Sequence, residues 1–459
     1  MVKLLLLAIL GGAIGFCLVW VPFPWNLCLP FFIGLMVLAV VSPLAVVGGL
    51  LGISATRLLW RAGGISPDEL LYSFTFLGLL GISLLRQFLR PQGDLRSGWE
   101  TPVAFPLFCM GLVGIWGSIL GILHGHLFVH WTSDLNFILF FWLYFVVVAS
   151  ARETRDLYRV IWPTLWITAG VAVWGAVLRI RSGGLFTGLF PGFPRGMAFS
   201  STFFILTVCL TLFSEPGSGR KRGLFFLSLF FGLHQFLSFV RVAWISQLAS
   251  AGFIVSVLPF SARGRFMRGI GVGLSILSLV FIASWIAPTD NLAVKTPTYL
   301  TNRFLSIFTD VVGEGVTMHT RYSEWGAALQ QFLQHPFLGN GLGTQIQFVR
   351  YDFANFPLTT ERYIHSSFIY YLLNTGPLGL AVFLWFCVCM IRYGLQVYRR
   401  LESGPVKGLA LGMTASLVYQ VFSSLAGNEL NNPSRTIWTG FFVGALAVID
   451  RQSKEAKQR

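Results

Sequence analysis

Apolar runs of roughly 17–25 residues, long enough to cross a bilayer as helices, recur along the whole chain with short polar breaks between them. Beyond the N-terminal third they fall at about 135–150, 160–180, 199–213, 224–240, 242–258, 269–286, 366–391, 408–426 and 436–449. The N-terminal third adds runs at about 4–19, 29–53, 68–89 and 102–123. Pro43 and the Gly48-Gly49 pair can divide 29–60 into two short or re-entrant passes, so about 12–14 spans are expected. One long interval breaks the pattern: 287–365 is largely polar, and the chain turns apolar again just after His365. The expected fold is an all-α polytopic integral membrane protein in three parts. These are transmembrane helices over 1–286, a long extramembrane loop with short helices over 287–365, and helices with a basic tail over 366–459.

Composition supports this reading, with 55% of the 459 residues hydrophobic and 11% charged, more apolar length than a soluble core requires. The net charge of +15 does not point to nucleic acid, because the basic residues sit in clusters beside apolar runs. The clusters are Arg152/Arg155/Arg159, Arg220/Lys221/Arg222, Arg263/Arg265/Arg268, Arg392/Arg399/Arg400/Lys407 and Arg451/Lys454/Lys457/Arg459. By the positive-inside rule they face the cytoplasm, which puts 181–198, the 238–243 turn, 287–365 and 427–435 on the opposite side. The start of the chain, with Lys3 ahead of an apolar run and no convincing small-residue cleavage site, reads as a retained first helix. The six cysteines show no disulfide or zinc pattern and are expected to be free thiols. The cytoplasmic loops are too short for a nucleotide-binding domain, and no Walker loop is present.

Chemistry is concentrated outside the cytoplasm. Arg241, in Phe239-Val240-Arg241-Val242-Ala243-Trp244, sits between two apolar runs with almost no loop. A guanidinium at a bilayer midplane costs about 2.5–3.5 kcal/mol on insertion scales, less near the ends, so Arg241 is either a snorkelling helix-end arginine or an anion site facing a cavity. Arg321 opens an expected amphipathic helix with Tyr322, Trp325, Leu329 and Phe332 on one side and Glu324 and Gln330 pointing elsewhere. It is either a structural partner of Glu324 or a cation for phosphate, to which the planar guanidinium fork is suited. Gly339, Gly341 and Gly343 lack the strand–turn–helix setting of a dinucleotide site and read as sharp turns folding the loop over the membrane surface, with His335 structural. His365 is either an interfacial helix cap or a base, since an ordinary histidine pKa near 6.5 lets neutral imidazole accept a hydroxyl proton at neutral pH. His124, His126 and His130 lack the carboxylate or cysteine that would complete a metal set. The carboxylates of the long interval form no Asp-x-Asp pair, so chemistry without a metal or other cofactor is expected.

Arg321-x-x-x-Trp325, His335-Pro-Phe-Leu-Gly-Asn-Gly-Leu-Gly343, His365-Ser-Ser-Phe-Ile369, Asn374-Thr-Gly-Pro-Leu-Gly379 and the stretch around Arg241 together resemble the O-antigen ligase and O-antigen polymerase superfamily of bacterial envelope glycosyltransferases. The resemblance spans about 195–390. It implies a GT-C-like many-helix fold in the inner membrane, with a long periplasmic loop over a cavity open to the membrane. It also implies a glycan donor on undecaprenyl pyrophosphate and either lipid A core or a second lipid-linked glycan as acceptor. Carried over by position, His365 matches the family's base, Arg241 and Arg321 match its pyrophosphate-binding arginines, and Arg195 is a further candidate for the donor's phosphate or sugar. Ser366 stands where the family often has asparagine. Neutralised diphosphate is a good leaving group, so cations, a base and held geometry suffice, and direct displacement inverts the anomeric carbon. The competing class is a transporter or flippase of lipid-linked glycans, which needs internal cations but no long loop ending in histidine.

Overall fold

The computed structural model describes residues 25–56, 67–89, 96–181, 199–215, 217–236, 240–286, 316–351 and 357–458. The expected first helix at 4–19 and Arg195 lie outside these residues. The described chain is almost entirely helical: α1 (Trp25–Val41), α2 (Pro43–Thr56), α3 (Pro67–Leu89), α4 (Arg96–Trp99), α5 (Ala104–Leu123), α6 (Phe128–Leu139), α7 (Leu143–Ser150), α8 (Thr154–Arg181), α9 (Phe199–Leu212), α10 (Gly219–Phe236), α11 (Arg241–Val257), α12 (Phe260–Ile286), α13 (Val316–Phe332), α14 (Ser367–Arg400), α15 (Pro405–Ser423) and α16 (Pro433–Gln458). Among the described residues, Ala104–Leu123, Phe128–Ser150 and Ser367–Arg400 are long and apolar enough to cross a membrane unaided. The 29–60 run does divide at Pro43: α1 ends at Val41 and α2 opens with the proline, whose missing N–H is tolerated at a first helical turn.

The core sits around α16, whose first eighteen residues, Pro433 to Asp450, are buried on every side, the signature of a helix inside a bundle rather than on its surface. Small residues bring it close to its neighbours. A Cβ on Gly440 would lie 2.6 Å from the Phe141 carbonyl oxygen, and one on Gly444 would lie 3.0 Å from that of Tyr144, so both glycines serve backbone-to-backbone approach. Trp438 fills the remaining space and donates its indole N–H to Ser54 at 3.0 Å. Gly408 and Gly412 of α15 lie against Cys209 and Leu206 of α9, and Ser416 donates to the Thr202 carbonyl, so the two helices run antiparallel.

The long interval is not purely helical where it is described. Ile346–Val349 (β1) and Leu358–Glu361 (β2) pair antiparallel, Ile346 opposite Glu361 and Val349 opposite Leu358. The sequence reading did not anticipate this hairpin, because each strand is only four residues long. It lies against α13, whose Ser323 and Thr320 hydroxyls accept the backbone N–H groups of Val349 at 3.1 Å and Tyr351 at 2.9 Å.

Below the hairpin, the chain at Gly339–Gly343 enters the bundle instead of lying over its surface. The cause is a break in α14. Gly376 takes φ 71° and ψ −174°, and Pro377 has no N–H, so the Leu373 carbonyl four residues earlier has no helical donor. That carbonyl accepts the N–H of Asn340 at 2.8 Å, the Asn374 carbonyl accepts that of Gly341 at 2.9 Å, and the Gly117 carbonyl of α5 accepts that of Leu342 at 2.8 Å. Gly339, Gly341 and Gly343 all have φ between 81° and 85°, a region that L-residues with a side chain enter at a cost. A Cβ on Gly341 would also collide with the Gly121 backbone. Gly341→Ala is therefore expected to lose about 2–4 kcal/mol of stability from the left-handed backbone and the overpacked contact, read as a lower thermal midpoint of the purified protein. An unchanged midpoint would mean that the loop does not depend on this seam.

Candidate active site

Glu324 lies on the buried face of α13, one turn before Ala328, and its side chain is fully buried. Its carboxylate accepts the backbone N–H of His365 at 2.8 Å and the His365 Nδ1 at 2.9 Å through the second oxygen. A carboxylate only accepts, so Nδ1 carries a proton, and in the neutral ring the Nε2 lone pair is left for another partner. The His365 side chain is 47% exposed. The result is an imidazole fixed at one nitrogen by a buried charge and open at the other. The expected apolar side of this helix is not its buried side: Tyr322 and Leu329 are exposed while Glu324 is buried, because His365 supplies the hydrogen bonds that make a buried carboxylate tolerable.

The residues on either side of His365 are fastened separately. The Ile364 carbonyl accepts Asn431 Nδ2 at 3.4 Å, the Ser367 N–H donates to the Ser424 carbonyl at 3.0 Å, and the Ser367 hydroxyl donates to Asn431 Oδ1 at 3.0 Å. Ser366 caps α14 by accepting the Ile369 N–H. His365 thus sits immediately before a capped helix and is anchored to the connection between α15 and α16.

A second buried carboxylate holds the segment at a distance. Asp134 of α6 is fully buried; its Oδ2 accepts the Gly343 N–H at 2.8 Å and its Oδ1 lies 3.5 Å from Arg362 Nε. Both ends of the hairpin segment, Gly343 and Arg362, therefore meet one side chain. Arg362 also donates to the His130 carbonyl at 2.9 Å, to Ser133, and to the Tyr363 hydroxyl at 3.0 Å, with its guanidinium 5.0 Å from the Tyr363 ring. Burial works against its charge, but the Asp134 carboxylate and Tyr363 outweigh it and hold the pKa above the ordinary arginine value. These internal contacts identify Arg362 as a clamp rather than a free cation.

Arg321 differs. It lies three residues before Glu324 on α13, half-buried, and among the described residues no hydrogen-bond partner meets its guanidinium. Burial pushes its pKa below the usual arginine value, with the Glu324 carboxylate acting in the opposite direction. Arginine's high starting pKa keeps it charged at neutral pH.

Arg241 is the first residue of α11, half-buried, behind an extended Val240. Helix order sets its level in the bundle. The short 401–404 turn sends α15 back toward the start of α14, α9 runs antiparallel to α15, and α10 runs antiparallel to α9, with Ser200 Oγ 2.8 Å from His234 Nδ1. The end of α10 and the start of α11 therefore share the His365 end of the bundle. The structure brings His365 onto the Glu324 carboxylate, with Arg321 three residues earlier on the same helix, and puts Arg241 at the same end.

The histidine cluster has a different use from the one considered for it. Carbonyl oxygens accept at both sites, so His124 donates Nδ1–H to Asn340 at 2.7 Å and His126 donates to Leu342 at 2.8 Å, while His335 stacks on His124 at 4.5 Å. Sequence reasoning missed the roles of Glu324, Asp134 and Asn431. Asp134 had a legible signal, a charge directly ahead of an apolar run; Glu324 and Asn431 had none beyond residue type.

Replacing Glu324 by Gln keeps shape and an acceptor oxygen but removes the charge that selects the Nδ1–H form. Nitrogen NMR of ¹⁵N-histidine-labelled protein is expected to show His365 predominantly Nδ1-protonated in the native chain and a tautomer mixture in Glu324→Gln. An Nε2-protonated native histidine would overturn the orientation.

Residues 224–384, which include Arg241, Arg321, Glu324, the glycine loop, His365 and the α14 break, match the family model described as O-antigen ligase. No curated protein matches the chain.

Proposed function

We propose that the chain, whose residues 224–384 match the family model described as O-antigen ligase, is a membrane glycosyltransferase that moves a glycan from undecaprenyl pyrophosphate to an acceptor hydroxyl at the periplasmic face of the inner membrane. The observation that carries the reading is the Glu324–His365 pair, with its protonated Nδ1 held at 2.9 Å and its other nitrogen unused by the carboxylate. In the proposed step, His365 Nε2 takes the acceptor hydroxyl proton as the oxygen attacks the anomeric carbon. The bond from that carbon to the diphosphate oxygen breaks, and the electron pair leaves with the diphosphate. Glu324 holds the base in the required tautomer and stabilises the imidazolium that forms, the role of an orienting carboxylate in general. Arg321 and Arg241 neutralise the diphosphate, and Arg195 contacts its phosphate or sugar. A single displacement inverts the anomeric carbon and needs no metal. The acceptor is lipid A core in a ligase or a second lipid-linked glycan in a polymerase.

The roles separate in kinetics. His365→Ala should leave donor binding nearly intact and reduce single-turnover transfer by about 10²–10⁴-fold, the contribution of a positioned base. Glu324→Gln should lower transfer in the same sense with donor affinity retained. Arg321→Ala and Arg241→Ala should weaken donor binding as well as transfer, with Lys restoring only part because it lacks the bidentate fork. A folded His365→Ala protein transferring glycan at the native rate would remove the base from the mechanism. Donor movement across vesicles with no transfer product would instead favour a transporter.

Transfer by the purified protein should also persist in excess EDTA. Complete loss restored by Mg²⁺ or Mn²⁺ would show that a carboxylate metal site takes part.

A further inference from the structure

The loop carrying the three glycines lies at a depth that a surface loop would not reach. Leu342 donates to Gly117, six residues before the end of α5 at Leu123, and Asn340 donates to Leu373, six residues after the start of α14 at Ser367. At 1.5 Å per helical residue each places the loop about 9 Å below the helix ends. The two helices are antiparallel, Gly117 against Thr375 and Gly379 against Val113, so both measures run from the same end of the bundle, the one that carries His365.

At that depth the outer surfaces of both helices are apolar. Exposed Ile115, Ile119 and Ile122 continue along α5 to its last residue, and the exposed strip of α14 begins at Pro377 and Leu378, the latter 70% exposed. The chain at 337–338 passes directly over the α14 break, where a Cβ on Gly376 would lie 2.5 Å from the Phe337 carbonyl oxygen and 3.0 Å from the Leu338 carbonyl carbon. Phe337 is 82% and Leu338 53% exposed there.

From Gly339 to Gly343 the backbone meets the second requirement for that environment. Irregular chain persists at membrane depth only where its polar groups are satisfied by protein. Here the N–H groups of Gly339, Asn340, Gly341, Leu342 and Gly343 all donate within the protein. The Asn340 and Leu342 carbonyls accept from His124 and His126, and that of Gly341 accepts from Thr344 at 2.6 Å.

We propose that residues 335–343 form a re-entrant segment whose tip, Phe337 and Leu338, is seated among the acyl chains of the leaflet on the His365 side, continuing the lipid-facing strips of α5 and α14. Lipid acyl chains are the occupant because the tip extends two apolar helix faces of a membrane protein at their own depth and adds no charge. The inference rests on the membrane fold and stands whether or not the transferase reading does.

The unmodified chain in phosphatidylcholine nanodiscs tests it with two reagents read by mass spectrometry. A lipid carrying a diazirine in its acyl chain should leave carbene adducts on Phe337 and Leu338 as it does on Leu378. Hydroxyl radicals generated in the water should oxidise exposed Tyr351 and Leu358 several-fold faster than Phe337, despite the high intrinsic reactivity of phenylalanine. Oxidation of Phe337 at the Tyr351 rate without carbene adducts would put the tip in water and overturn the proposal. Protection from both reagents would overturn it in favour of a second copy of the chain covering the tip.

Discussion

One carbonyl sets much of this architecture. Pro377 cannot donate to Leu373, and in an apolar bundle a carbonyl without a donor costs free energy comparable to a lost hydrogen bond. The N–H of Asn340 fills it at 2.8 Å, and Gly341 docks beside it onto Asn374 at 2.9 Å. The broken helix and the glycine loop are therefore complementary halves of one structure: neither the Gly376-Pro377 break nor the left-handed backbone at Gly339, Gly341 and Gly343 would be stable without the other. The downstream segment inherits that anchorage. The hairpin leaves the loop at Ile346, returns at Glu361, and delivers His365 to the start of the same helix that was broken to receive the loop.

Two buried carboxylates then divide the work. Asp134 receives Gly343 and lies near Arg362, so the span of the hairpin segment is closed on one side chain of α6. Glu324 receives the backbone and the ring of His365. Each would be costly to bury alone and is tolerated because backbone N–H groups and a cationic or polarisable partner converge on it. The same constraint separates the arginines. Arg362 commits its donors to the protein and holds geometry, whereas Arg321 lies half-buried beside the Glu324 charge with no hydrogen-bond partner among the described residues. Buried guanidinium without such partners is what an anionic ligand would relieve.

The packing of the bundle explains how polar groups can be carried at one end without loosening the rest. Glycines at positions 440, 444, 408 and 412 let α16 and α15 approach their neighbours at backbone distance, where dispersion and close fit, rather than a solvent-driven effect, hold helices together in lipid. The rigid centre built around Trp438 and α16 presents the α15–α16 connection to Ser367 and Ile364, and so fixes the backbone on both sides of His365.

From sequence alone, the repeat of apolar runs determined the all-α membrane architecture, because crossing hydrocarbon as a helix imposes a length that can be counted. Pro43 likewise announced the division of the second run, since a proline at a helix start leaves no helical hydrogen bond unmade. The single long polar interval, with His365 at its end and Arg321 within it, and Arg241 between two apolar runs, were legible as candidates from residue type and position along the chain. The sequence reading left the glycines on the surface and offered Glu324 only as a partner for Arg321. Both depended on contacts between residues distant in the chain: Gly341 with Asn374 and Gly121, and Glu324 with His365 across forty-one positions. Periodicity reports which face of a helix is apolar, but not whether a charge on that face will meet a partner. Only the tertiary structure decided that Glu324 would be buried and that the loop would enter the bundle, because a buried polar group is stable only where the rest of the fold supplies its hydrogen bonds.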